Sequence, residues 1–150
     1  MKVIIATDGS DFSRAAITEF CRLFPDLRAA EIKVVSTFDA IAPMATEPFA
    51  ISADYRAEVE AAARKQAQAH VEAAVMQLRE CLPGDLNVTT QVGMGSPGRL
   101  ITDLAGEWKA DLIVAGSHGR GFWARTLIGS TSDSLVHHAP CSVLIVRKPE

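Results

Sequence analysis

The chain opens on an uninterrupted apolar run, Val3-Ile4-Ile5-Ala6, which gives way to Asp8-Gly9-Ser10. A β-branched run without polar interruption predicts a strand buried on both faces, and the polar triplet predicts a turn. From about Ser10 to Phe24 the apolar spacing becomes helical. Ala15, Ala16, Phe20, Leu23 and Phe24 are expected to share its buried face, and Pro25 ends it. EIKVVSTF, residues 31–38, reads as a second strand. The stretch from Asp39 to Ile51 carries two prolines and no period, so it is expected to be a loop. It leaves the carboxyl end of a strand and would lie over any ligand crevice there. A long Ala-rich helix follows from about Ser52 to Leu82, with Val59, Ala63, Ala67, Val71, Ala74, Val75 and Leu78 as its stripe and Pro83-Gly84 as its stop. LNVTTQVG alternates like a strand. Ser96 and Pro97 then read as N-cap and first residue of a helix reaching Trp108. ADLIVAG is a further buried strand, Ser130 to His138 a helix, and SVLIVR a closing strand.

Strands and helices thus alternate as β-α-β-α-β-α-β-α-β. That alternation predicts an α/β fold: an open parallel five-stranded sheet, Rossmann-like, with helices on both faces. Ligands of such sheets bind beyond the carboxyl ends of the strands, where the strand order reverses. No linker, repeat or low-complexity segment divides the chain, and 150 residues suit one domain spanning residues 1–150.

Composition narrows the function classes. Apolar residues make up 48 % and charged residues 22 %, the balance of an ordinary globular domain. A net charge of −3 argues against nucleic acid as a partner and leaves room for a local anion site. No apolar run approaches the length of about 20 residues that a membrane span needs, and the N-terminal run is too short for a signal peptide. A cytoplasmic protein is expected. Cys21, Cys81 and Cys141 are scattered and form no C-x-x-C pair. Buried or free thiols are the plain reading, with metal or redox chemistry as the alternative. His137 and His138 are adjacent and diverge by about 100° on a helix, which suits a polar helix end better than a metal site.

Two glycine clusters follow strands. GMGSPG, with Gly93, Gly95 and Gly98, matches G-x-G-x-x-G literally. The next strand ends at Ala115 and Gly116, without the carboxylate that a dinucleotide site uses for ribose, and Pro97 removes a donor from the helix start. The modest reading is that Gly93 and Gly95 keep a strand end bare for a flat ligand. No Walker, H-E-x-x-H or G-x-S-x-G motif occurs. The second cluster is GSHGRGFWARTLIGSTSDS, residues 116–134, with the spacing G-x-x-G-x9-G-[ST] at Gly116, Gly119, Gly129 and Ser130. Glycine turns and a helix start supply backbone N–H groups, Ser130 and Thr131 supply hydroxyls, and Arg120 and Arg125 supply charge. On spacing alone, a phosphate site and a tight turn with solvated arginines are both open.

These residues resemble the universal stress protein family, whose nucleotide-binding members carry G-x-x-G-x9-G-[ST]. VIIATDGSDFSRAA is similar to the family's first strand, Asp turn and first helix. VGMGSPGRLI is similar to the region after its third strand, and DLIVAGSHGRG and HHAPCSVLIVR to its fourth and fifth strand regions. The resemblance covers essentially the whole chain apart from the loop after Phe38. It implies ATP or a related adenine nucleotide as ligand, with or without Mg²⁺. Carried over position by position, Ala6, Thr7, Asp8 and Thr37 would border the adenine or ribose, with Gly93, Met94 and Gly95 beside them. Gly116, His118, Gly119, Arg120, Gly129, Ser130 and Thr131 would hold the phosphates. Asp8 alternatively caps its turn, and His118 alternatively serves the loop alone. Phe122 and Trp123 depart from the family pattern and would pack under the loop or meet a partner. The closing strand is an edge candidate, and the resemblance implies a homodimer paired along it, with unknown protein partners besides.

The expected role is a nucleotide-dependent regulatory module in stress response, with little turnover. No residue stands out to orient an attacking water, as phosphoryl transfer would need. Three alternatives stay open: a slow ATPase or self-phosphorylating enzyme using Ser130, Thr131 or Ser132; a nucleotide-free interaction module; and an FMN carrier of the same topology.

Overall fold

The first strand, β1 (Lys2–Ala6), becomes the centre of the sheet because its apolar side chains are buried on both faces. In the computed structural model the other elements follow as α1 (Asp11–Leu23), β2 (Glu31–Phe38), α2 (Ala53–Cys81), β3 (Asn87–Met94), α3 (Pro97–Trp108), β4 (Leu112–Gly116), α4 (Ser130–His138) and β5 (Ser142–Val146). The structure describes residues 1–27, 29–39, 52–82, 84–119 and 128–148. The sheet order is β3-β2-β1-β4-β5, and every pair is parallel. The result is the expected single-domain α/β fold.

Alternation along the strands divides the core in two. Val3, Ile5, Ile32, Val34 and Val114 face α1 and α2, where Ile17, Phe20, Val71 and Leu78 meet them. Ile4, Ala6, Val35, Ile113 and Ala115 face Ile101 and Ala105 of α3 and Leu135 of α4. The chain winds outward from β1 to β2 and β3 with helices on one face. It then crosses by α3 to the other side of β1, and the strand order reverses between β1 and β4. A cleft opens at the carboxyl ends there.

The buried face of α1 keeps the expected Ala16 and Phe20 but is turned from the expected one. Ser13, Ala16, Ile17, Phe20 and Cys21 are buried, whereas Leu23 is exposed and Ala15 only half-buried. The stripe is turned because Ser13 finds a hydroxyl partner inside, Thr7 Oγ1 at 3.2 Å. On α2, Ala67, Val71, Ala74 and Leu78 are buried, and Val59, Ala63 and Val75 partly so. Ser96 occupies the N-cap position of α3 as expected, but its side chain makes no capping bond. Gly129 caps α4, so Ser130 is its first helical residue.

Candidate functional site

A cavity of about 540 Å³ opens at the strand reversal. Ala6 and Thr7 end β1, Val35, Ser36 and Thr37 lie near the end of β2, and Ala115 and Gly116 end β4. Asp8 and Ser13 come from the β1–α1 connection, Asp39 from just after β2, and Pro97 and Ile101 from α3. The remaining wall is His118 and Gly119 on one side and Ile128, Gly129, Ser130, Thr131 and Ser132 on the other.

That wall is stitched together by short hydrogen bonds. Ser117 N–H donates to Val146 O at 2.7 Å, which anchors the turn to β5. Gly129 N–H donates to Ser117 O at 2.8 Å, and the buried Ser132 hydroxyl donates to Gly116 O at 2.7 Å. The turn after β4 and the start of α4 are therefore brought to one place, although nine residues of chain lie between Gly119 and Gly129. The first N–H groups of a helix have no partner within it, and Gly129 offers α4 no side-chain cap. The helix start thus presents amide donors and the positive end of its dipole to the cavity.

Asp8 stands between its own turn and Gly119. Its Oδ1 accepts the Ser10 N–H at 3.0 Å, the turn-capping role. Its Oδ2 lies 2.8 Å from where a Cβ on Gly119 would stand. His118 Nδ1 is 3.1 Å from Ser117 Oγ, and its ring lies 5.2 Å from that of Phe12. Among the described residues no group of three or more His, Cys, Asp or Glu side chains could hold a metal ion. Nor is any helix among them long and apolar enough to cross a membrane.

Of the residues singled out in the sequence, Ala6, Thr7, Asp8, Thr37, Gly116, His118, Gly119, Gly129, Ser130 and Thr131 all line this cavity. Gly93, Met94 and Gly95 do not. They run beside the end of β2, with Gly93 paired to Thr37, Met94 to Phe38, and Gly95 N–H donating to Phe38 O at 2.9 Å. Gly98 serves packing, since a Cβ there would lie 2.6 Å from Ser134 Oγ on α4. Arg120, Phe122, Trp123 and Arg125, and the loop from residue 40 to 51, lie outside the described residues. Ser13, Ser36 and Asp39 also line the cavity and did not stand out in the sequence; Ser36 lies near the end of β2 and Asp39 just after it, where the strand run itself points to the crevice. The three thiols are free, with Cys21 buried and Cys81 exposed.

The same architecture recurs in known proteins. A universal stress protein from Synechocystis is 28 % identical, over 97 % of this chain and 97 % of its own length. The solved structure of the universal stress protein UspA from Lactobacillus plantarum is 27 % identical, covers 98 % of this chain and 97 % of its own, and superposes with a TM-score of 0.75. More distant universal stress protein structures share the fold: one in complex with cAMP (22 % identical, TM-score 0.65), one from Arabidopsis thaliana with AMP (14 %, 0.67) and one from Archaeoglobus fulgidus with dAMP (19 %, 0.61). Each covers at least 97 % of this chain and 92 % of its own. The universal stress protein family model matches residues 1–147, and the chain belongs to the universal stress protein family.

Proposed function

We propose that this chain binds an adenine nucleotide, ATP with or without Mg²⁺, in the cavity between β1 and β4, and acts as a nucleotide-dependent regulatory module in stress response. One observation carries the reading. The Gly116–Gly119 turn is bonded to the start of α4 in a single wall, and that helix start, which has no side-chain cap, offers backbone donors to an anion. A volume of about 540 Å³ suits a ligand of nucleotide size. Apolar Val35, Ile101 and Ala115 give a flat base something to rest on. Relatives solved with cAMP, AMP and dAMP support the adenine nucleotide class. Arg120 would add charge to the phosphate end. Bound Mg²⁺ would neutralise phosphate charge; the chain's own part is to hold the phosphates by backbone N–H groups.

Regulation follows if the nucleotide has different affinities for two states of the chain that partners distinguish. In this reading two copies pair along β5, a strand that among the described residues is paired on one side only, with β4. Equilibrium titration with ATP, AMP and cyclic AMP tests the binding. Saturable one-to-one binding supports the reading, and no binding of any of them refutes it.

A further inference from the structure

The cavity has a corner that the glycine motif does not explain. Thr7, Ser13 and Ser36 all line it, and they are only 7 %, 3 % and 2 % exposed. Their meeting follows from strand alternation. Val3 and Ile5 on β1, and Ile32 and Val34 on β2, point to the α1–α2 face, and Thr7 and Ser36 come next in each series. Ala6 pairs with Val35, and Thr7 N–H donates to Val35 O at 2.9 Å. Thr7 and Ser36 therefore end neighbouring strands side by side.

Two of the three hydroxyls are committed. Thr7 Oγ1 donates to Ser13 Oγ at 3.2 Å and accepts the Gly9 N–H at 3.2 Å. Ser13 Oγ donates to Ser10 O at 2.9 Å. A hydroxyl has one proton to give, so neither neighbour has a donor left for Ser36. The Ser36 Oγ is buried and has no hydrogen-bond partner among the described residues. Such a group is rare in a folded protein and calls for a physical reason.

We propose that Ser36 is a ligand-contacting residue whose hydroxyl hydrogen-bonds the nucleoside part of the bound nucleotide. The inference rests on the nucleotide reading above. The phosphate donors are at the end of β4 and the start of α4, whereas β2 lies on the other side of β1. Two strand spacings, about 10 Å, separate them. With phosphates at one end, the part of the ligand that reaches β2 is the base and sugar. Val35 and Ile101 line the same cavity from the other face of the sheet and supply apolar surface, and the Ser36 hydroxyl supplies a polar contact.

The test compares wild type with Ser36→Ala in two measurements. One is thermal melting without ligand. The other is calorimetric titration with ATP, adenosine and inorganic tripolyphosphate. The variant is expected to melt no lower than wild type, because the lost hydroxyl had no partner. It is expected to bind ATP and adenosine about five- to tenfold more weakly, the worth of one neutral hydrogen bond. Tripolyphosphate, which has no nucleoside, is expected to bind both proteins equally. Unchanged ATP affinity, a lowered melting temperature, or an equal loss for tripolyphosphate overturns the assignment of Ser36 alone. Wild type that binds none of the three overturns the nucleotide reading, and Ser36 falls with it.

Discussion

Gly116 and Gly119 are held bare by the protein itself, whatever the cavity binds. A Cβ at Gly116 would lie 2.7 Å from the backbone carbonyl carbon of Phe12, where α1 crosses β4. Backbone cannot step aside as a side chain can. Gly116→Ala should therefore cost about 1–3 kcal/mol of stability, read by urea denaturation. Among the described residues a Cβ at Gly119 would meet only the Asp8 carboxylate, so Gly119→Ala should cost less and displace Asp8 instead. The sequence pattern could not choose between a tight turn and close approach of a ligand, and these distances explain why. A glycine that clears space for the fold also leaves backbone open to the cavity.

Cys21 gives a second residue-scale prediction. Burial, followed by the neighbouring Cys81 thiol, pushes its pKa from 9.0 up to about 12. The neutral thiol is then favoured in the folded state. Between pH 9 and 12 the unfolded chain loses this proton and the folded chain keeps it, so stability falls as pH rises. The decline in urea midpoint above pH 9 should be shallower in Cys21→Ala than in wild type. At pH 8, alkylation followed by mass spectrometry should label the exposed Cys81 and spare Cys21.

At the scale of elements, α4 separates a structural role from a binding role. Ser130 is exposed and is the first helical residue, and the helix has no side-chain cap. Ser130→Asp places a negative charge at the positive end of the helix. It should raise stability by about 0.3–1 kcal/mol in the absence of ligand. The same charge should repel a phosphate, so a gain in stability with a loss of binding is the expected pair of results. Periodicity made the elements legible. Ser130–His138 and EIKVVSTF were readable to the residue, because each is a clean run bounded by glycine, proline or polar residues. The face of α1 was readable in part: Ala16 and Phe20 are buried as expected, but Ser13 was not foreseen. A buried serine pairing with Thr7 breaks the rule that polar residues mark the outside, and only the tertiary contact reveals the pair. Ser36 escaped for a similar reason: inside an apolar strand run it looks like a tolerated polar residue until its neighbours' protons are counted.

At the scale of the whole molecule, alternation of strand and helix made a parallel sheet legible, while the order β3-β2-β1-β4-β5 needed the structure. That order places β4 and β2 on either side of β1 and so sets the length of the cavity. It also leaves β5 at an edge, with partly buried Val143, Leu144 and Ile145 along it. Beside them and α1 lies a second hollow of about 730 Å³, lined by Leu144, Ile145 and Val146. An apolar edge strand is a template for pairing. Sedimentation equilibrium should give twice the 16.1 kDa chain mass, and a mass of one chain would refute the β5 dimer.

The most direct test is calorimetric titration of the purified chain with ATP, with and without Mg²⁺, beside Ser130→Asp. Wild type should bind one ATP per chain, and a variant that stays folded should bind it at least about tenfold more weakly, the effect of a like charge placed against a phosphate. Wild type that binds no adenine nucleotide, or a variant that binds ATP as tightly as wild type does, would contradict a phosphate site at the start of α4.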